Sequence, residues 1–205
     1  MNLQELLAKY ENRSNNSNFN RPNFFQLKDD GDSAMVKILV SNETELQSFV
    51  REVHTVKING FDNKVLCLGE GTCKCCEAGM TPKLVLMLPL YNETTKRVEF
   101  WQRGITTIKD LRTMIAEYGD LSQETFKIVR SGKAKSKDTK YSMVYSKKQV
   151  DCDVASLTIP PIVGRDFKLV LGLSPEQQQE AIIEGKVTWT STKEEPQVAK
   201  EEDAF

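Results

Sequence analysis

Residues 53–76 read VHTVKINGFDNKVLCLGEGTCKCC and combine a predicted β-hairpin with four closely spaced cysteines. Two runs with β-type alternation flank a turn around residues 59–62. A glycine at the first position of a two-residue loop is typical of a type II′ turn, so we place Gly60 at that position. This register sets His54 directly opposite Cys67, on one face of the hairpin.

The cysteines of this stretch have the spacing of a metal site. Cys73 and Cys76 form a C-x-x-C pair, a spacing in which loop amides can turn toward two thiolates on one ion, and Cys67 supplies a third ligand. Adjacent side chains of an extended segment point to opposite sides, so only one of Cys75 and Cys76 is expected to bind. We assign Cys76 and keep Cys75 as the alternative. His54 is the one histidine of the chain and is the predicted fourth ligand.

Four protein ligands close the coordination sphere of zinc, whereas a catalytic zinc keeps an open position for water. We therefore predict one structural Zn²⁺ per chain. Disulfides are a poor alternative, because the five cysteines are odd in number and two of them are adjacent. Cys152 stands apart and is expected to be a small apolar residue.

The composition limits the kind of protein this is. With 205 residues, 39% hydrophobic and 28% charged, the chain is typical of one folded domain with attachments. Its longest apolar run, residues 84–91, is eight residues long and contains a proline, far short of the ~20 residues that a membrane span needs. The N-terminus lacks the apolar core of a signal peptide, so we expect a cytoplasmic protein.

Short β-type segments dominate the middle of the chain. Helical periodicity predicts helices at residues 2–12, at residues near 108–118 and in a segment that Ser174 caps and Gly185 ends. This pattern favours a small antiparallel barrel or sandwich with insertions. The predicted strands are Met35–Val40, Phe49–Ile58, Lys64–Leu68, Lys83–Tyr91, Arg97–Trp101, Thr125–Arg130, Tyr141–Tyr145 and Phe167–Gly172.

We divide the chain into three parts. Residues 1–22 are a predicted N-terminal arm and linker, residues 23–190 a core with the zinc subdomain at about 50–82, and residues 191–205 an acidic, disordered tail. The charge is unevenly spread: residues 174–205 carry a net charge of −5, which leaves +4 on the remainder. A basic body beside an acidic tail indicates an anionic ligand and a competitor for it.

Residues 127–148 hold eight basic residues and one acid. The segment runs from one predicted strand through a lysine-rich loop into a second predicted strand, which carries Tyr141 and Tyr145. Lysines bind phosphates, and bases stack on aromatic rings. Together these contacts are typical of proteins that bind single strands without sequence preference. Phe100 and Trp101 are consecutive, so only one of them is expected to be exposed. The candidate DNA-binding residues are Tyr91, Arg97, Trp101, Arg103, Arg130, Lys133, Lys135, Lys137, Lys140, Tyr141 and Tyr145.

The combined pattern resembles the single-stranded DNA-binding (helix-destabilising) proteins of T-even-type bacteriophages. That family uses one His and three Cys, with twelve residues between the His and the first Cys and a final C-x-x-C, and His54, Cys67, Cys73 and Cys76 match this spacing. The loop between Cys67 and Cys73 is shorter than in the family, and Cys75 is additional. The resemblance covers most of the chain.

The resemblance implies an OB-type barrel with an inserted zinc subdomain and a role in phage DNA replication, recombination and repair, in the cytoplasm of an infected bacterium. It also implies self-association along DNA through the N-terminal arm and recruitment of replication and recombination proteins by the tail. The tail residues expected to bind partners are Glu201, Glu202, Asp203 and Phe205.

Two other classes compete with this interpretation. A zinc-containing RNA-binding or transcription-regulating protein would share the basic loop and the metal. An enzyme is disfavoured, because the single histidine is already assigned and no convincing carboxylate cluster for two-metal chemistry is evident. We therefore predict a non-catalytic single-stranded DNA-binding protein.

Overall fold

The structure, a computed structural model, describes residues 23–133, 136, 138–164 and 169–189. Its strands are β1 (Asn23–Phe24), β2 (Ser33–Ile38), β3 (Val50–Ile58), β4 (Phe61–Leu66), β5 (Lys83–Asn92), β6 (Arg97–Arg103), β7 (Phe126–Ser131), β8 (Lys140–Tyr145), β9 (Val163–Gly164) and β10 (Val170–Leu171). Its helices are α1 (Glu43–Ser48), α2 (Lys74–Glu77), α3 (Ile105–Tyr118) and α4 (Pro175–Glu184), with 3₁₀ turns at Leu121–Gln123 and Val154–Ser156. The predicted arm, the tail, Lys135 and Lys137 lie outside the described residues.

The prediction of a mainly β protein is confirmed. The described strands form one ten-stranded sheet in the order β8-β7-β2-β5-β3-β4-β10-β9, with β6 on the other edge of β5 and β1 parallel to β6. One edge of β5 is shared, because β3 pairs with residues 83–86 and β2 with residues 90–92. No pairing in the described ranges joins the two ends of this order, so an OB-type barrel stays a prediction.

Strand β5 lies at the centre of the molecule and is covered on both faces. Its even-numbered leucines, Leu86, Leu88 and Leu90, pack into a cluster with β2, β7 and α3. The alternate residues Val85 and Met87 pack into a second cluster on the opposite face. A strand buried on both faces has a continuous apolar sequence, which explains the run LVLMLPLY at residues 84–91.

The β3–β4 hairpin corrects the predicted register. Asn59 and Gly60 form the turn, with φ angles of 52° and 82°, and two consecutive positive φ angles are typical of a type I′ turn rather than type II′. His54 consequently pairs with Val65, and its predicted partner Cys67 lies two residues further along. Because side chains alternate along a strand, a shift of two keeps Cys67 and His54 on the same face.

Two helices agree with the sequence interpretation and two were missed. Helix α4 carries the predicted cap, in which Ser174 accepts the Gln177 N–H and the Gln177 side chain accepts the Ser174 N–H. Helices α1 and α2 are six and four residues long, too short to show a helical period. In the described ranges, no helix is both long and apolar enough to cross a membrane.

Candidate functional site

Four predicted ligands converge beside the β3–β4 hairpin: the donor atoms of His54, Cys67, Cys73 and Cys76 all lie within 4.8 Å of one another. His54 Nε2 lies 3.4 Å from Cys73 Sγ and 3.5 Å from Cys76 Sγ, and Cys67 Sγ lies 3.6 Å from Cys76 Sγ. In a tetrahedral zinc site, bond lengths of about 2.3 Å to sulfur and 2.0 Å to nitrogen separate two sulfurs by about 3.8 Å and a sulfur and a nitrogen by about 3.5 Å. The cluster therefore has the dimensions to hold a metal ion.

The one-turn helix α2 places the two adjacent cysteines in different surroundings. It turns the Cys76 sulfur toward Cys67 and His54, while Cys75 is fully buried in an apolar cluster with Val65. Cys75 is not part of the four-residue group. The structure thus brings Cys76, and not Cys75, together with the other three predicted ligands, close enough to hold a metal ion.

The surroundings of the cluster favour the thiolate form of Cys73 and the protonated form of Cys76. Burial raises the pKa of Cys73, but hydrogen bonds from the backbone of Leu68, Cys76 and Cys75 outweigh it and hold the pKa below its usual value. Burial, together with the neighbouring thiols Cys67 and Cys73, raises the pKa of Cys76 to about 12. Several thiolates can share this space only if a cation compensates their charge, which is what a bound metal supplies.

His54 is fully buried and is suited to be a ligand in its neutral form. Burial lowers the pKa of its imidazole, although Glu52 opposes the shift. Its Nε2 faces the sulfurs, while Nδ1 is buried and has no hydrogen-bond partner in the described part of the chain. The metal-facing nitrogen is thus Nε2.

A groove of about 770 Å³ lies at a different place, where the segment 24–29 faces the end of β6 and the β7–β8 hairpin. The guanidinium carbon of Arg103 lies 4.1 Å from the centre of the Trp101 ring and 3.8 Å from that of Tyr141. Phe25 packs edge-on against Trp101, which is only 3% exposed. The groove therefore presents a cation held between two aromatic rings.

Four of the predicted DNA-binding residues line this groove, namely Trp101, Arg103, Arg130 and Tyr141. Lys133 and Lys140 are located on the adjoining β7–β8 hairpin, and Tyr145 is exposed at the end of β8. The remaining described candidates lie elsewhere. Tyr91 is buried against Leu39 and Val150 in another cluster, and Arg97 is exposed at the opposite end of β6 from Arg103.

Arg130 is committed to its own hairpin. It is only 4% exposed, and its guanidinium donates to the carbonyl oxygens of Gly132 and Lys133 and to Thr139 Oγ1. These contacts use the fork of donors that arginine offers. Arg130 therefore lies next to the groove but stabilises the β7–β8 loop.

Sequence reasoning missed the wall formed by residues 24–29 and the contribution of helix α4 to the metal centre. The consecutive pair Phe24-Phe25 held a signal, since two adjacent aromatic residues are seldom both buried: both line the groove, and Phe25 is buried whereas Phe24 is 40% exposed. No comparable signal marked Gln178, a fully buried residue of α4 that touches Cys73.

The chain thus has a metal-sized His/Cys cluster and a separate groove with an arginine between aromatic rings. These two places carry the chemistry that the described residues bring together. Comparison of the chain with known protein families, with curated proteins and with solved structures found no match in any of the three.

Proposed function

We propose that the protein binds single-stranded DNA without sequence preference, in the groove beside Arg103. The observation that carries the proposal is the Arg103 guanidinium held between Trp101 and Tyr141 in an open groove. Non-specific single-strand binding combines positive charge that follows the phosphates with aromatic faces for the bases. A groove with both features fits that ligand.

In this proposal Arg103 contacts a phosphate, and Lys28, Lys133 and Lys140 extend the positive surface around it. An arginine already oriented by two rings loses little side-chain entropy on binding. Burial lowers the pKa of Arg103, yet arginine remains a cation in proteins. A bound phosphate would neutralise the positive charge that Arg103 already presents in the groove.

The bases would stack on the accessible aromatic residues, Phe24, Tyr141 and Tyr145. Trp101 is too buried for a base to stack on it, so we assign it the supporting role of holding Arg103. Arg130 is assigned to the hairpin rather than to DNA, because its guanidinium already donates to loop oxygens.

We further propose that the metal is one structural zinc ion, held by His54, Cys67, Cys73 and Cys76. A full set of four protein ligands leaves no open position for substrate at the metal, so the metal proposed here is structural and not catalytic. The ion would keep the loop after β4 folded against β3. The sequence resemblance supports a biological role for this binding. In that role the protein coats single strands during phage DNA replication, recombination and repair, and its acidic tail recruits partners.

Titration with oligo-dT, duplex DNA and RNA at two salt concentrations tests the proposal. We expect single-stranded DNA to bind more tightly than duplex, and its affinity to fall by roughly 0.7 log units per log unit of salt for each phosphate contact. A strong preference for RNA would favour the RNA-binding alternative. Equal binding of duplex and oligo-dT would contradict the proposal.

A further inference from the structure

Gln178 of helix α4 reaches the metal cluster from outside the ligand set. Its side chain is fully buried, although glutamine is rarely found so far from water. Its Oε1 accepts the backbone N–H of Lys74 at 3.0 Å and lies 3.4 Å from Cys73 Sγ, and its Nε2 donates to the carbonyl oxygen of Leu66 at 3.0 Å. Both ends of the amide are therefore held.

The two backbone partners of Gln178 are the immediate neighbours of metal ligands. Leu66 precedes Cys67 at the end of β4, and Lys74 follows Cys73 at the start of α2. The amide thus spans the gap between two chain segments, each of which carries part of the ligand set. Fixing that gap fixes the distance between the sulfurs, on which tetrahedral coordination depends.

The same contacts attach helix α4 to the cluster. Around Gln178, Ala181 and Leu173 pack on the apolar side of the hairpin, next to Val65. Beyond the helix, the Gly185 carbonyl accepts the Asn59 N–H at the hairpin turn. Helix α4 is therefore joined to the β3–β4 hairpin near both of its ends, and Gln178 makes the contact that lies beside the sulfurs.

We propose that Gln178 is a positioning residue of the metal centre and that metal occupancy in turn holds helix α4 in place. The inference rests on the metal binding proposed above. Coupling between metal binding and the docking of helix α4 is reciprocal. If the docked helix strengthens metal binding through Gln178, the bound metal stabilises the docked helix to the same extent. The full-length protein loaded with Zn²⁺ or Co²⁺ can test both directions.

The first test compares Gln178→Met with Gln179→Met. Methionine keeps the length of the side chain but removes the amide, and Gln179 is an exposed glutamine of the same helix. We expect Gln178→Met to weaken metal affinity roughly 10- to 100-fold, the usual effect of losing an outer-shell partner, and Gln179→Met to leave it unchanged. Metal release to a chromogenic chelator gives the rates, and the thiolate-to-cobalt absorption of the Co²⁺ form reports the geometry at sulfur.

Leu173→Ala separates positioning from packing. Leu173 is buried in the same apolar cluster, so its truncation should lower the melting temperature without changing the cobalt spectrum. If Leu173→Ala changes the spectrum and the release rate as much as Gln178→Met does, Gln178 acts only through packing and the inference is overturned. It is overturned equally if Gln178→Met releases metal no faster than Gln179→Met.

The second test needs no variant. Amide hydrogen exchange is compared between metal-loaded and metal-stripped protein, and residues 175–184 should exchange faster after stripping, while α3 serves as the internal control. Unchanged protection of α4 would overturn the reciprocal coupling. If the wild-type protein binds neither ion at all, the metal proposal itself fails, an outcome distinct from loss of coupling in a protein that does bind.

Discussion

Arg103 is the residue on which the proposed binding depends. It lies between Trp101 and Tyr141, and its Nε is buried with no hydrogen-bond partner in the described part of the chain. A desolvated cation between two rings is attracted to both of their faces, at about 0.5–2 kcal/mol for each contact. The orientation of the guanidinium is thus set before any ligand arrives.

Arg103→Gln should weaken binding of oligo-dT roughly 10- to 150-fold, because hydrogen bonds to charged groups contribute about 1.5–3 kcal/mol each. Loss of one phosphate contact should also reduce the salt slope by about 0.7. The control is Arg112→Gln, an exposed arginine of α3 paired with Glu43. Fluorescence titrations at several salt concentrations measure both quantities, and an unchanged slope would move the phosphate contact away from Arg103.

Arg130→Lys should lower the free energy of unfolding by roughly 1–3 kcal/mol although the charge is kept, because lysine cannot reproduce the planar fork of donors. That fork holds the Gly132 and Lys133 carbonyls and the Thr139 hydroxyl. Urea unfolding measures the effect, with the exposed Lys140→Arg as the matched control. A variant that unfolds like the wild type but binds oligo-dT poorly would restore Arg130 as a DNA contact.

At the scale of elements, the β3–β4 hairpin shows why the ligands could be predicted and their register could not. Histidine and cysteine are recognisable by their chemistry, so the cysteine spacing and the one histidine of the chain were enough to predict the four ligands, with Cys75 as the alternative to Cys76. The register depends on which two residues form the turn, and the predicted turn lay one residue beyond the Asn59-Gly60 pair, although Asn-Gly is the commonest signal for a type I′ turn. The register error was an even number of residues, so the predicted face is correct.

Gly60→Ala should cost roughly 1–2 kcal/mol of stability, because an L-residue is strained in the left-handed region. Gly60 adopts a φ of 82° there, and nothing lies within 4 Å of the position an added Cβ would take, so space is not the reason. Asn59→Gly is the control, since glycine adopts positive φ freely. Thermal or urea unfolding of the two variants separates backbone strain from contact loss, and equal stability of Gly60→Ala and wild type would contradict the turn assignment.

Zinc affinity should rise with pH. Burial raises the pKa of Cys76 to about 12 in the metal-free cluster, so this thiol keeps its proton at neutral pH. A metal binds the thiolate and must expel that proton, which gives about a tenfold gain in affinity per pH unit for each proton released. Competition with a chelator between about pH 6 and 8 tests the sign. Cys75→Ala should show the same dependence, because Cys75 lies outside the four-residue cluster.

At the scale of the whole molecule, the sequence predicted the positions of the strands better than their order in the sheet. Strand positions follow from alternation, but which strands lie side by side depends on long-range packing that no local pattern encodes. The sharing of one β5 edge by β2 and β3 was therefore not foreseen. The same limit applies to the aromatic residues. Phe100 and Trp101 are both buried, so the expectation that one of them is exposed was wrong, and Tyr91 is buried too, because β5 and β6 are covered on both faces.

Metal removal should destabilise the hairpin region more than the central sheet. The cluster lies among Val56, Val65 and Leu171, apart from the larger core of β2, β5 and β7. Chelation, or His54→Ala, should therefore lower the melting temperature while Trp101 fluorescence and weakened DNA binding persist. Complete loss of the Trp101 environment on chelation would show that the two regions unfold as one.

Strand β1 gives the groove a mechanical weak point. In the described part of the chain it pairs with β6 through Asn23 and Phe24, with one further hydrogen bond from the Phe25 N–H to the Phe100 carbonyl. The first 22 residues of the chain are attached directly to this strand. Among the described residues the β1–β6 junction is shorter than the β5–β6 pairing, so a load applied at Asn23 should detach it at the lower force. Tension at Asn23 would then open the groove from its Phe24 side.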